Sequence, residues 1–131
     1  AAKEREETVT LRVLDRHRAA GVEALCELIV PGSARVGPSV YVDAILAAMP
    51  AGAREDALRA IDALSGARSA DALAPRAHTP EFALVRALAI EAFYSDFVAP
   101  GSEGPGAWAE IDFEPPRAVD LERDWSYLGI R

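Results

Sequence analysis

The sequence has 131 residues, half of them hydrophobic, which is enough chain for one domain with a core and too little for two. Its 21 Asp and Glu residues exceed its 14 Lys and Arg residues and leave a net charge of −7, a sign that repels nucleic-acid phosphates. No apolar run approaches the roughly 20 residues that span a bilayer. A single cysteine excludes an internal disulfide, and one cysteine with two histidines excludes the usual structural zinc site. We therefore expect an acidic domain without a nucleic-acid partner, a metal or direct membrane insertion.

Residues 1–14 are predicted to form an extended N-terminal arm. Over residues 8–13 the side chains alternate and several are β-branched, which favours an extended segment over a helix. Because a lone strand needs an edge to pair with, we take Val9, Leu11 and Val13 as candidate partner-binding residues.

Residues 15–98 are predicted to form an all-α core, a small bundle of about four helices around a buried central helix. The predicted helices cover residues 16–30, 38–49, 53–65 and 80–97. Asp15 and Thr79 stand where N-caps are needed, and Pro38 and Pro80 suit a first helical turn.

The fourth helix is apolar nearly all round, which predicts burial on every side. Two arrangements would achieve this burial. Either the other three helices surround it, or another protein chain completes one of its faces.

Residues 99–131 are predicted to form a long irregular tail. Residues 100–106 have the composition of a loop, and no helical period follows them. The tail is nevertheless rich in large apolar side chains, which need a surface to cover, and Trp and Tyr often supply much of the binding energy at interfaces. For Trp108 the alternative is packing on this protein's own helices. The candidate partner-binding residues of the tail are Trp108, Phe113, Trp125, Tyr127, Leu128 and Ile130.

No catalytic, cofactor-binding or metal-binding residue is predicted. His17 stands between two arginines near a helix start, which is typical of a solvated surface. Cys26 lies on the apolar stripe of the first helix, where a thiol behaves as a small hydrophobe with a raised pKa. Asp112 and Glu114 could face one way in an extended segment, but a carboxylate pair without a sugar cleft does not indicate glycoside hydrolysis. A small enzyme using His17 or a carboxylate pair is thus the least favoured function.

Four stretches resemble the gluconate 2-dehydrogenase subunit 3 family. Two stretches, residues 25–32 (LCELIVPG) and residues 40–46 (VYVDAIL), are similar to the opening of the family's sequences. Residues 86–94 (RALAIEAFY) resemble its long central helix, and residues 125–130 (WSYLGI) resemble its closing segment. The order and spacing of these stretches carry the resemblance, which spans residues 11–131.

The resemblance implies a non-catalytic small subunit that binds and stabilises a larger oxidoreductase of the glucose-methanol-choline class, acting on a sugar or glycoside. That partner would hold FAD, and this chain would hold no cofactor. The alternative is a stand-alone helical module, binding or regulatory, that forms homo-oligomers. Proteins of the family often carry a twin-arginine export signal, and the printed sequence shows none. We therefore expect a cytoplasmic location, or an exported one if a presequence precedes Ala1.

Overall fold

A computed structural model of the chain describes residues 10–114 and 128–129. These residues form α-helices and contain no strand, and none of their helices is long and apolar enough to cross a membrane. The helices are α1 (Arg16–Ile29), α2 (Pro38–Ala48), α3 (Ala51–Leu64), α4 (Ala70–Leu73), α5 (Pro80–Tyr94) and α6 (Ala107–Glu110), with 3-10 turns at Ser33–Val36 and Ala74–Arg76. The predicted all-α fold with four long helices is confirmed.

The starts of the long helices follow from local caps. The Asp15 carboxylate accepts the Arg18 N–H at 2.7 Å, and the Thr79 hydroxyl oxygen accepts the Phe82 N–H at 3.2 Å. Pro38 opens α2 in the first turn, where its missing N–H costs nothing. Three of the four predicted starts therefore rest on the residues that the sequence indicated.

The hydrophobic core lies between the four long helices, and α5 packs against α1, α2 and α3. Five residues of α5 are buried, among them Val85, Leu88 and Phe93. A stripe that includes Arg86 and Tyr94 remains exposed, so the other helices cover α5 only in part. The arrangement in which another chain completes this face remains a prediction.

The helix α5 ends at Tyr94, three residues before the predicted end. Asp96 adopts a left-handed conformation with φ of 66°, which cannot continue a right-handed helix. The turn directs Phe97 inward, where its fully buried ring makes an edge contact with Tyr41 at 5.3 Å between centroids. The apolar pattern therefore continues past the helix, because Phe97 joins the core from a turn.

The described part of the N-terminal arm, from Thr10 to Leu14, forms no strand and is held by Asp43 of α2. The Asp43 side chain is 3% exposed, and its carboxylate accepts the backbone N–H groups of Arg12, Val13 and Leu14 at 2.8 to 3.2 Å. Charge-assisted hydrogen bonds of this kind are about twice as strong as neutral ones. One buried carboxylate thus replaces the strand edge that the sequence led us to expect.

Charged side chains also close the ends of α1 and α2. Glu27 accepts the N–H groups of Gly32 and Ala34 at 2.6 and 3.0 Å, and these hydrogen bonds lower the pKa of its carboxyl. The Arg54 guanidinium donates to three carbonyls at the C-terminal end of α2, including that of Met49 at 3.0 Å. The sequence has no Asn or Gln, so carboxylates and guanidinium groups perform this capping.

Replacing Asp43 with Ala is expected to lower the free energy of unfolding by about 2–4 kcal/mol, because three backbone N–H groups lose their acceptor. Urea unfolding followed by circular dichroism measures the change. Asp56→Ala is the control, since the exposed Asp56–Arg59 ion pair of α3 should contribute less than about 1 kcal/mol. Equal effects of the two substitutions would contradict the role given to Asp43.

Candidate partner-binding surface

The described residues bring together no metal-binding cluster. Residues 10–114 with 128–129 contain no group of three or more His, Cys, Asp or Glu side chains placed to hold a metal ion. His17, on the first turn of α1, and His78, just before α5, are both exposed. The predicted surface position of His17 is confirmed.

Two neighbouring groups of α1, Cys26 and Glu23, have strongly shifted pKa values. Burial, with a smaller contribution from the neighbouring Glu23 charge, raises the pKa of the Cys26 thiol to about 12. A thiol that stays protonated is a poor nucleophile, and the prediction that Cys26 is a core residue is confirmed. Burial also raises the pKa of Glu23 to about 7, although a weak contact with the Ser39 N–H at 3.4 Å opposes the shift.

The described residues expose three large hydrophobic side chains, one at the end of α5 and two in the turn after α6. Tyr94 is 45% exposed, Ile111 58% and Phe113 46%. Trp108 of α6 is partly buried and makes an edge contact with Phe113 at 5.1 Å between centroids. Its indole N–H donates to the Tyr94 carbonyl at 2.9 Å, which ties α6 to the end of α5. We call Tyr94, Trp108, Ile111 and Phe113 the aromatic surface.

The turn after α6 sets the position of Phe113. The Phe113 N–H donates to the Trp108 carbonyl at 2.9 Å and the Asp112 N–H to the Ala109 carbonyl at 3.4 Å, while Asp112 has a φ of 53°. This is the Schellman arrangement, in which a left-handed residue ends the helix and an apolar pair packs across the turn. Trp108 and Phe113 are that pair, so the same hydrogen bonds that end α6 bring the two rings together.

The start of α6 depends on Asp96, the residue whose left-handed turn ends α5. The N-cap position of α6 is Gly106, which has no side chain to accept a hydrogen bond. The buried Asp96 carboxylate takes that role and accepts the Trp108 N–H at 3.2 Å. A Cβ atom on Gly106 would lie 2.0 Å from Asp96 Oδ1, so the close approach requires glycine.

Arg35, from the 3-10 turn Ser33–Val36, contacts the loop before α6, α6 itself and the end of α5. Its guanidinium donates to the Pro105 carbonyl at 2.6 Å and to the Glu110 carboxylate at 2.6 Å. It also lies over the ring of Phe93, 5.7 Å from the centroid. Because Arg35 contacts the loop, α6 and α5 together, it fixes the geometry of the segment that carries Trp108.

The two ends of the described chain meet at a second place, which we call the arm clasp. The Arg12 guanidinium donates to the Leu128 carbonyl at 3.0 Å. Gly129 has a φ of 76°, and a Cβ atom there would lie 2.9 Å from the Arg12 guanidinium. Leu11, Val13 and Leu128 are partly buried and pack against the core. The arm and the last described residues of the tail therefore form one continuous surface.

The structure places the predicted partner-binding residues in two groups. Trp108 and Phe113 belong to the aromatic surface, where Trp108 packs partly on its own helices, and Leu11, Val13 and Leu128 belong to the arm clasp. The remaining predicted residues, Val9, Trp125, Tyr127 and Ile130, lie outside the described residues.

The sequence did not indicate Tyr94, and it marked Ile111 as an apolar tail residue that needs cover without assigning it to partner binding. It also gave no sign of the hydrogen bonds by which Asp96 and Arg35 hold α6. Sequence reasoning also missed α6, since a helix of one turn shows no period, and the tail is thus not wholly irregular. The run Gly-Pro-Gly before Ala107 marks a break in the chain but does not indicate a helix start.

Comparison of the chain with protein-family models, with curated proteins and with solved structures gave no match. The resemblance to the gluconate 2-dehydrogenase subunit 3 family therefore stays a prediction.

Replacing Gly106 with Ala is expected to displace α6 and to lower stability by about 1–3 kcal/mol, because the new methyl group overlaps the Asp96 carboxylate. Acrylamide quenching of Trp108 fluorescence, measured in a Trp125→Phe background, should increase. Gly52→Ala is the control, since a Cβ atom there meets nothing within 4 Å and Ala favours the helix. An unchanged quenching constant in the Gly106 variant would contradict the proposed cap.

Raising the pH from 5 to 8 is expected to destabilise the protein through Glu23. The pKa of Glu23 is about 7 in the folded state and 4.5 in the unfolded state. The contribution of this group to stability is therefore fully present below pH 4.5 and is lost as the pH rises through about 7. Urea unfolding at both pH values should show a smaller fall in stability for Glu23→Gln than for the wild type. The exposed control, Glu55→Gln, should keep the wild-type pH dependence. If the free energy of unfolding fell equally between pH 5 and pH 8 in the two variants, a group other than Glu23 would be responsible.

Proposed function

We propose that this chain is the non-catalytic small subunit of a larger FAD-dependent oxidoreductase of the glucose-methanol-choline class, whose substrate is a sugar or glycoside. The chain binds that subunit and stabilises its folded state. Catalysis and the flavin belong to the partner.

The aromatic surface is the observation that carries this proposal. Three large hydrophobic side chains, one at the end of α5 and two in the turn after α6, are about half exposed, whereas the other large hydrophobic side chains of residues 10–114 are buried or less exposed. An exposed apolar cluster is typical of a binding site, and aromatic side chains are enriched in the residues that dominate binding energy. The hydrogen bonds of Trp108 and the turn at Asp112 hold the rings in place before binding, which lowers the entropic cost of association.

Three of the stretches that resemble the family lie in the helices on which this surface is built. Residues 25–32 lie at the end of α1, residues 40–46 lie in α2 and include Asp43, and residues 86–94 make up most of α5 and end at Tyr94. These stretches contribute core residues from three of the four long helices. These three stretches therefore also supply a large part of the core.

A subunit of this kind acts by mass action. Binding only the folded form of the partner stabilises that form by a free energy that grows with the ratio of subunit concentration to dissociation constant, about 2.7 kcal/mol at a hundredfold excess. A permanent interface buries on the order of 2,000 Å² or more, which exceeds what a few side chains cover. The aromatic surface would thus be the centre of an interface that also includes the arm clasp.

Purification of the tagged chain from its native host tests the proposal directly. We expect a stoichiometric larger subunit and the visible absorbance of a bound flavin in the same eluate. A colourless eluate that contains only this chain, in the form of oligomers, would instead support the stand-alone helical module.

The double variant Ile111→Ala with Phe113→Ala is expected to weaken binding of the flavin-containing subunit by about 30-fold or more, the loss of about 2 kcal/mol typical of a central interface residue. Surface immobilisation of the chain and titration with the flavoprotein measures the change. Phe82→Ala is the matched control, because Phe82 is a partly buried aromatic at the opposite end of α5. Both proteins should unfold cooperatively, and equal affinity of the double variant and the wild type would contradict the assignment of this surface.

A further inference from the structure

Carboxylates lie beside the apolar residues of the aromatic surface along the chain. Glu110, Asp112 and Glu114 alternate with Ile111 and Phe113 along the chain, and all three carboxylates are exposed. Glu91 is exposed one turn before Tyr94 on α5. Arg35 is paired with Glu110, and the Glu91 carboxylate accepts the Tyr41 hydroxyl at 2.7 Å. Asp112 and Glu114 are therefore the two carboxylates of this group that can pair with cations of a partner.

We propose that the occupant of the aromatic surface is a partner protein whose apolar groove is flanked by arginine or lysine side chains. This inference deepens the proposed function and rests on it for the identity of the partner, the larger flavoprotein subunit. Charge complementarity carries the inference, since opposite charges around an apolar centre accelerate association and disfavour wrong partners.

A second copy of this chain fits the surface poorly. A symmetric dimer places the same patch of each subunit against its copy. The exposed carboxylates of Asp112 and Glu114 would then belong to two identical acidic patches in contact, and like charges at an interface are unfavourable. An anionic lipid surface is disfavoured by the same negative charge.

The turn itself supplies a variant that changes charge without changing shape. Asp112 occupies a left-handed conformation, which Asn also adopts readily, so Asp112→Asn removes a charge and retains the turn. Combined with Glu114→Gln it neutralises two carboxylates. The control, Glu55→Gln with Asp71→Asn, removes two exposed carboxylates from α3 and α4 and gives the same net charge.

The first experiment measures the affinity of the flavoprotein that co-purifies with the chain, at low and high salt. We expect the neutralised variant to bind about tenfold more weakly than wild type at low salt, and the control variant to bind as wild type does. Wild-type affinity should fall with added salt, and the neutralised variant should respond less. A flavoprotein complex that is indifferent to both changes would overturn this inference and leave the proposed function standing.

A second experiment does not depend on the flavoprotein. Two synthetic helical peptides carry the same leucine face, flanked by arginines in one and by glutamates in the other, and binding is followed by Trp108 fluorescence in a Trp125→Phe background. We expect the arginine peptide to bind at least tenfold more tightly, with the preference lost in the neutralised variant and binding weakened in Phe113→Ala. Equal binding of the two peptides would overturn the inference.

Sedimentation velocity of the isolated chain at low salt tests the other occupants. The wild type should sediment as a monomer and should not associate with neutral lipid vesicles. A dimer, or vesicle binding, that Phe113→Ala abolishes would overturn the inference, because a second copy or a membrane would then occupy the surface.

Discussion

The aromatic surface depends on one buried carboxylate, that of Asp96. Its left-handed backbone ends α5 directly after Tyr94, and its side chain caps the helix that carries Trp108. One residue thus fixes both the place where the first element stops and the place where the second begins. Gly106 is the matching constraint, since no side chain fits against the carboxylate. The relative placement of Tyr94 and Trp108 is therefore a property of the backbone as much as of the aromatic rings.

Acidic and basic side chains make the hydrogen bonds to the backbone that Asn and Gln side chains often make in other proteins. Asp43 binds the backbone of the arm, Glu27 binds the turn after α1, and Arg54 closes the end of α2. Each of these groups is held by one or more backbone partners at hydrogen-bond distance, which fixes the side chain as well as the backbone. Backbone groups at the helix ends are therefore hydrogen-bonded although the sequence has no Asn or Gln. Because the partners are acidic and basic groups, the strength of these hydrogen bonds depends on the charge of the side chains.

The long helices could be predicted from the sequence because their caps are local: Asp15 and Thr79 each bind an N–H three residues ahead. The bonds of Asp43 and Asp96 join residues 31 and 12 positions apart, and no pattern of residue types indicates such a pairing in advance. Trp108 and Phe113 could be picked out because large aromatics in an irregular segment need cover. Tyr94 could not, since α5 is apolar nearly all round and its period gives no sign of which face stays exposed.

The arm clasp forms late during synthesis of the chain. Arg12 and the Leu128 carbonyl are separated by 116 positions, so their contact forms only after the ribosome has synthesised nearly all of the described chain. The contacts within and between neighbouring helices need far shorter loops and can form earlier. The helical core can consequently fold during translation, while the arm clasp forms only after Leu128 has been synthesised. Chains that end before Leu128 would therefore contain the helical core and lack the arm clasp.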